Sequence, residues 1–515
     1  MWLALTGSAR FCRAVASSGQ RCREKSAGVT AAASLEQSVR DQLKGVLEPC
    51  TGQSLLTLGC VHRVVVDPSV AVVSLGLDLL VAGHPSERSI VQDCIDRVRE
   101  LNWVRQVHVE VLKSKAENNE SVTSSNGLAK IKHIIAVSSC KGGVGKSTVA
   151  ANVALSLASR GLRTGLLDAD VYGPSIHVMI DIADKTVKKA PDNPKMILPL
   201  EGPHGLKTLS FGHVNPRAGV IGAGGKEAAI MRGPIASRVI NQLVALTQWG
   251  ELDYLIVDFP PGTGDVQITL CQTLAFAGAI IVTTPHELAL VDAVKGISMF
   301  EELKVPTLAL AENMAYFECD QGNKFYPFGK GGRKNILRGM DLLSSQSNEK
   351  NDSKNERTNQ IRERLSECPI HSFPLSSAIS GQGLNVTSYR AAVAQDASSD
   401  YSKLYSNLCD DVILEILKLQ VKAQIVPSVT FVEGRGIVLR YFTPSHAIEY
   451  SIAPSELRCR DPKTGGIITD SSSFKNIKPL HFDFKGNYGV AIYWSDGHYA
   501  DIYPYDVLKK ILQIL

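Results

Sequence analysis

Nine consecutive residues constrain this chain more than any other stretch: Cys140-Lys141-Gly142-Gly143-Val144-Gly145-Lys146-Ser147-Thr148. A strand pattern, His133–Ser138, runs into them. A helical pattern, Lys146–Arg160, runs out and stops at Gly161. Glycines let successive backbone N–H groups converge on one point. A helix N-terminus at that point adds the positive end of its dipole. Strand, glycine-rich turn and helix in this order build an anion cradle. In such a loop Lys146 reaches the β- and γ-phosphates of a nucleotide, and the Ser147 hydroxyl ligates Mg²⁺. The pattern has glycine where Cys140 stands; the other positions match. Cys140 through Thr148 are the expected nucleotide cradle.

The surrounding sequence supplies the sheet that such a loop needs. Short apolar runs (His133–Ser138, Thr164–Asp168, Tyr254–Asp258, Ala279–Thr284, Thr307–Ala311) alternate with helical segments over residues 129–423. Strands that are apolar along their whole length belong to a parallel sheet buried on both faces. The polar stretch 344–362 reads as a solvated insertion. Residues 34–113 predict a smaller unit in α-β-β-α-β order: Leu35–Leu47, His62–Asp67, Ser69–Leu79, Ile90–Leu101 and Val104–Val111. Residues 114–128 read as a polar linker. Residues 426–515 turn β-rich, with strands at Val429–Val432, Gly436–Tyr441, Ala447–Ser451 and Gly489–Tyr493, and close on a helix, Tyr505–Leu515. The expected fold class is α/β: a central parallel-sheet P-loop NTPase domain, flanked by a small α/β domain and a β-rich C-terminal domain.

Two acidic clusters complete the cradle. Asp168-Ala169-Asp170 ends one central strand. Asp258 ends another and is followed by Pro260-Pro261-Gly262-Thr263-Gly264-Asp265. Carboxylates at the C-terminal ends of parallel strands face the crevice where ligands bind. Mg²⁺ favours hard oxygens and keeps several waters. Asp258 is expected to hold the metal through water, Asp168 to lie near it, and Asp170 to position the attacking water. The Pro-Pro-Gly segment is expected to respond to the γ-phosphate as switch loops do.

Charge and cysteine content exclude other classes. Residues 1–33 hold five basic residues and one acid. That Arg-, Ser- and Ala-rich, acid-poor stretch has the composition of an organellar transit peptide, so plastid stroma or mitochondrial matrix is the expected location. Removing them from 55 basic and 51 acidic residues leaves 50 of each sign, so nucleic acid is not an expected partner. The longest apolar run, Leu274–Val282, falls short of the ~18 residues a bilayer span requires. Eleven cysteines in 515 residues are too few for a disulfide scaffold and read as reduced thiols, some of them metal ligands.

With these residues on the page, the chain resembles the MinD/Mrp (ApbC-type) deviant Walker ATPases. Lys141 is the signature lysine of that group. There it reaches the nucleotide of the other subunit, so the resemblance implies a homodimer and a catalytic Lys141 beside Lys146. Asp168-Ala169-Asp170-Val171-Tyr172-Gly173-Pro174-Ser175, Met231-Arg232-Gly233-Pro234 and Glu312-Asn313-Met314 resemble the Mrp branch, and Asn313 is implied to read adenine. The first module resembles MIP18-like (DUF59) domains through Leu47-Glu48-Pro49 and Leu58-Gly59-Cys60-Val61. The last resembles DUF971 modules through Gly486-Asn487-Tyr488-Gly489-Val490 and Trp494-Ser495-Asp496-Gly497-His498. This three-module order is similar to the plant-type high-chlorophyll-fluorescence branch of the family. The resemblance implies a carrier or scaffold for a [4Fe–4S] cluster, using ATP and Mg²⁺, hydrolysing ATP slowly and serving apo iron–sulfur proteins.

A [4Fe–4S] cluster takes about four thiolates. The family places Cys-x-x-Cys after the Asn-Met element, but here Cys319-Asp320-Gln321-Gly322 keeps only the first cysteine. Cys319 is the expected cluster ligand, with Cys140 and Cys368 the next candidates by sequence. Gly83-His84-Pro85 stands where the first module has Ala-Cys-Pro, and a lone exposed His84 is not expected to hold metal. Cys94 and Cys271 are expected in cores. Cys459 and His498 are two ligands where structural zinc takes four, so no zinc is expected. The broken pair keeps a second reading open: a cluster-free, nucleotide-switched assembly or positioning adaptor. The amphipathic end Val507–Leu515 resembles the membrane helix of MinD-type ATPases. It is short, and is expected to dock on its own domain without stable membrane insertion.

Overall fold

The structure, a computed structural model, describes residues 34–112, 127–214, 233–319, 321–346, 361–375, 399–424, 428–443, 446–462, 465–468, 474, 477–485, 489–497 and 502–512. The expected transit segment, most of the linker, the middle of the 344–362 insertion, residues 231–232 and 486–488, and His498 lie outside them. The described residues divide into two compact units. One holds those up to 81, those from 85 to 112 and those from 417 on; the other holds 82–84 and those from 127 to 416.

In the first unit, helix α1 (34–43) precedes strands β1 (Val61–Asp67) and β2 (Val72–Leu77), helix α2 (Glu87–Arg99) and strand β3 (Gln106–Val111). β2 pairs antiparallel with β1 and parallel with β3. Val64, Val66, Val73, Leu75 and Val107 are buried, and Ile90, Cys94 and Val98 of α2 are buried at helical spacing. This is the α-β-β-α-β order expected from the sequence.

The second unit is built on a nine-stranded sheet. Its strands are β4 (Ile131–Ser138), β5 (Thr164–Asp168), β6 (Leu200–Glu201), β7 (Lys207–Ser210), β8 (Leu252–Asp258), β9 (Phe276–Thr283), β10 (Thr307–Glu318), β11 (Lys324–Phe325) and β12 (Ile370–Pro374). The order is β11-β10-β9-β4-β8-β5-β7-β6, with β12 beside β10. All neighbours are parallel except β6/β7 and β10/β11. β5 and β8 are buried along their whole length, as a doubly covered parallel sheet requires. Phe259 is buried in the core, 5.3 Å from Phe276 and 5.8 Å from Phe300 between ring centroids. Helix α3 (Lys146–Ser159) is buried from Val149 to Ala158; four alanines in that stretch allow it close to the sheet.

Charge stitches the starts of three central strands together. Asp253 accepts from Lys132 Nζ at 2.9 Å and from Arg163 Nη2 at 2.8 Å, with the Arg163 backbone N–H at 3.0 Å. Burial alone would raise the Asp253 carboxyl, but the hydrogen bonds from Arg163 and Lys132 hold it down at about 2. A carboxyl depressed by folding adds stability above its unfolded value and loses it as pH falls through its folded one. Asp253→Asn is therefore expected to cost roughly 2 kcal/mol at pH 7 and much less near pH 2, read from urea titrations at both.

Two three-stranded antiparallel sheets follow, β13 (Ser428–Val432), β14 (Gly436–Thr443) and β15 (His446–Ile452), then β16 (Pro479–Lys485), β17 (Gly489–Trp494) and β18 (Ile502–Pro504). Ile437, Leu439, Ile492 and Trp494 share one core with Tyr505 and Leu508 of the terminal helix, Tyr505–Ile511. No described helix is long and apolar enough to cross a membrane.

Candidate functional site

β4, β8 and β5 lie side by side in the sheet. Val137 pairs with Asp258, and Asp258 with Asp168, so the loop after β4 and both carboxylates emerge at one edge. Gly143 (φ +79°) and Gly145 (φ +84°) take left-handed backbone. Gly142 and Gly143 face open space, and Lys141 beside them is exposed. No side chain caps α3, which leaves its first N–H groups to a ligand. Ser139 fastens the loop: its Oγ donates to Lys141 O at 3.0 Å, and its carbonyl accepts from Gly262 N at 3.1 Å. The loop and the Pro-Pro-Gly segment therefore share a backbone bond.

Lys146 Nζ donates to Asp258 Oδ1, and to Ser147 Oγ at 3.2 Å. Burial raises the Asp258 carboxyl, and the Lys146 ammonium opposes it. The other oxygen, Asp258 Oδ2, is buried without a partner. An orphaned carboxylate oxygen beside a serine hydroxyl and an ammonium fits a Mg²⁺-bound phosphate: Ser147 and Asp258 would hold the ion, and Lys146 the phosphate.

Asp168 is buried and accepts hydrogen bonds on both carboxylate oxygens. Oδ1 accepts from Asp170 N at 3.0 Å. Oδ2 accepts from Ser175 N at 3.0 Å, Ile176 N at 3.1 Å and Ser210 Oγ at 2.9 Å. Burial, then the Asp258 charge, raises its carboxyl; the Ile176 N–H, the Lys146 ammonium and the Ser210 hydroxyl oppose that. Asp168 thus fixes the segment that carries Asp170, whose own Oδ1 accepts from Gly173 N at 3.1 Å.

β10 was expected to end at Ala311 and runs on to Glu318. Asn313 Nδ2 donates to Val144 O at 2.9 Å, so its amide supports the phosphate loop. Glu312, which the sequence did not single out alone, is buried; it accepts from Gly332 N at 2.8 Å and Ser372 Oγ at 3.1 Å.

Cys319 is half-buried at the turn of the β10–β11 hairpin. Gly322 N donates to Cys319 O at 2.8 Å, and Gly322 has φ +78°. The glycine in place of the second cysteine is thus a turn residue in a conformation glycine favours. The Cys140 thiol packs on Gly296, where an added Cβ would lie 2.0 Å from Sγ; burial pushes that thiol up to about 11. Cys368 is buried and pushed up to about 12 by that burial. Neither matches a ready thiolate ligand. Among the described residues no three His, Cys, Asp or Glu side chains gather as a metal-binding group. Cys94 is buried, and Cys271 packs against the core of the second unit. His84, expected to be exposed, is buried, because segment 82–84 packs within the second unit.

A glycine loop between a central parallel strand and a buried helix, with its lysine on a strand-end aspartate, defines a P-loop NTPase. Residues 130–364 match the model described as NUBPL iron-transfer P-loop NTPase. Residues 36–111 match an iron-sulfur cluster assembly protein model, and 438–509 a gamma-butyrobetaine hydroxylase-like N-terminal model. The Fe-S cluster assembly factor HCF101, chloroplastic, of Arabidopsis thaliana is 34% identical over 97% of this chain and 87% of its own length. An iron-sulfur cluster carrier protein of Pseudomonas fragi is 46% identical over 42% of this chain and 74% of its own. A nucleotide-binding protein of Archaeoglobus fulgidus, solved with ADP, covers 55% of this chain and 89% of its own at 30% identity and a TM-score of 0.35. The chain belongs to the Mrp/ApbC family of P-loop NTPases, alongside the HCF101 assembly factors.

Proposed function

We propose that this chain is an ATP-dependent carrier or scaffold of iron–sulfur clusters that serves apo-proteins inside an organelle. The observation that carries the proposal is 34% identity, over nearly the whole chain, to a named Fe-S cluster assembly factor in a chain whose phosphate loop keeps Gly145, Lys146 and Ser147. The loop amides and Lys146 bind the triphosphate, Lys146 exchanging Asp258 for phosphate oxygens. Ser147 and Asp258 would hold Mg²⁺, which would supply charge neutralisation for the triphosphate. Asp170 orients the attacking water, held in place by Asp168. Exposed Lys141 reaches the nucleotide of a second copy in a homodimer. The cargo, a [4Fe–4S] cluster, binds at Cys319. One chain offers too few thiolates there, so the remainder come from the second copy and the receiving protein. Two relatives called chloroplastic and the composition of residues 1–33 support plastid stroma or mitochondrial matrix as the location.

Anaerobic reconstitution with iron and sulfide tests this. Iron counted per dimer is expected to fall on Cys319→Ser, together with transfer to an apo-ferredoxin. The glycine at 322 favours the cluster-free adaptor as the second reading. That reading gains if the chain stays colourless and iron-free while capturing a partner only with ATP.

A further inference from the structure

We infer that the phosphate loop and the Cys319 hairpin are one coupled element, joined through Asn313 and Met314 of β10. The inference rests on the proposed nucleotide-driven function and adds how binding is transmitted to the cargo end. Two contacts make the joint. Asn313 Nδ2 donates to Val144 O at 2.9 Å, with Asn313 and Val144 both buried. A Cβ at Gly145 would lie 2.2 Å from that nitrogen and 3.8 Å from Met314 Cε, so the loop glycine nests between two successive β10 side chains.

The backbone changes character at the same place. Met314 has φ +54°, left-handed for a long side chain. Such residues persist where their surroundings fix them, and they gather at switch regions. Upstream the strand is anchored: Glu312 pairs with Thr283 and Ser372, and its carboxylate holds Gly332 N and Ser372 Oγ. The pairing with β9 stops at Glu312. The pairing with β12 shifts register and resumes only at Tyr316. Beyond it stand Phe317, Cys319 and the antiparallel return to β11. Asn313 and Met314 therefore lie between a fixed sheet and a projecting hairpin, in contact with the loop that closes on phosphate. A shift of Val144 and Gly145 has the joint, not the anchored sheet, as its path of least resistance.

The test uses the full, cluster-free chain under anaerobic conditions, with Mg²⁺ and a non-hydrolysable ATP analogue. N-ethylmaleimide labelling of Cys319 is followed by peptide mass spectrometry, with Cys50 of the other unit as reference. Saturation with the analogue is expected to change the Cys319 rate by about fivefold or more and to leave Cys50 unchanged. Met314→Gly, which removes both the left-handed constraint and the contact, is expected to bind the analogue yet lose the response. Met314→Leu, which keeps the contact, is expected to retain it. A bound analogue with an unchanged Cys319 rate in the wild type overturns the coupling alone, as does a full response in Met314→Gly. A chain that takes up no analogue overturns the nucleotide-driven function itself.

Discussion

Lys146→Ala is expected to abolish nucleotide binding, lowering Mg–ATP affinity by about 100-fold or more, or ~3 kcal/mol. The side chain is 7% exposed and its ammonium lies on Asp258, in front of an uncapped helix start. In that setting its charge meets phosphate with little competition from water. Removing it also leaves the Asp258 and Asp168 carboxyls facing each other across paired strands without a nearby cation. Burial already raises both. Without Lys146 they rise further, and the chain relieves the repulsion by taking up a proton. The variant should therefore fold, with stability reduced less than the ~3–5 kcal/mol of an uncompensated broken ion pair. Lys146→Arg is not a rescue, since a planar guanidinium replaces a point charge in a closed space. Calorimetric titration with Mg–ATP decides the matter. An affinity within about threefold of wild type would remove Lys146 from the site.

What was legible in the sequence was what is local. The loop, its strand and its helix are contiguous, so strand, turn and helix could be read from one stretch of sequence. β5 and β8 were legible as uninterrupted apolar runs. β7 and β12 were not: Lys207-Thr208-Leu209-Ser210 and Ile370-His371-Ser372-Phe373-Pro374 mix polar and apolar residues and become strands only beside β5 and β10. The far half of β10 is hidden in the sequence for the same reason. Glu312 and Asn313 end its apolar run, and the groups that let them be buried, Gly332, Ser372 and Val144, lie far away in sequence. Asp168 was recognised by motif, but its Ser210 partner lies 42 residues on. The Cys140 pocket at Gly296 had no sequence signal, because a glycine inside a helix can serve any close approach.

Gly145→Ala is the second large effect, and Gly142→Ala is its control. At Gly145 the backbone is left-handed, which costs a residue with a Cβ about 1–2 kcal/mol. The new methyl would also lie 2.2 Å from Asn313 Nδ2. Asn313 cannot simply swing aside. It is 5% exposed, and leaving Val144 O would strand a buried carbonyl at about 1–3 kcal/mol. The two terms act together, so a total of roughly 2–5 kcal/mol is expected. It should appear as a lowered Tm and as weakened Mg–ATP binding, because the amide that moves is the last before α3. Gly142, three residues earlier, has no atom within 4 Å of an added Cβ, and its φ is not positive. Gly142→Ala should leave Tm where it was. Equal Tm values for the two variants would mean that Asn313 does not brace the loop. The joint between phosphate loop and hairpin would then lose its physical basis, whatever the nucleotide affinities.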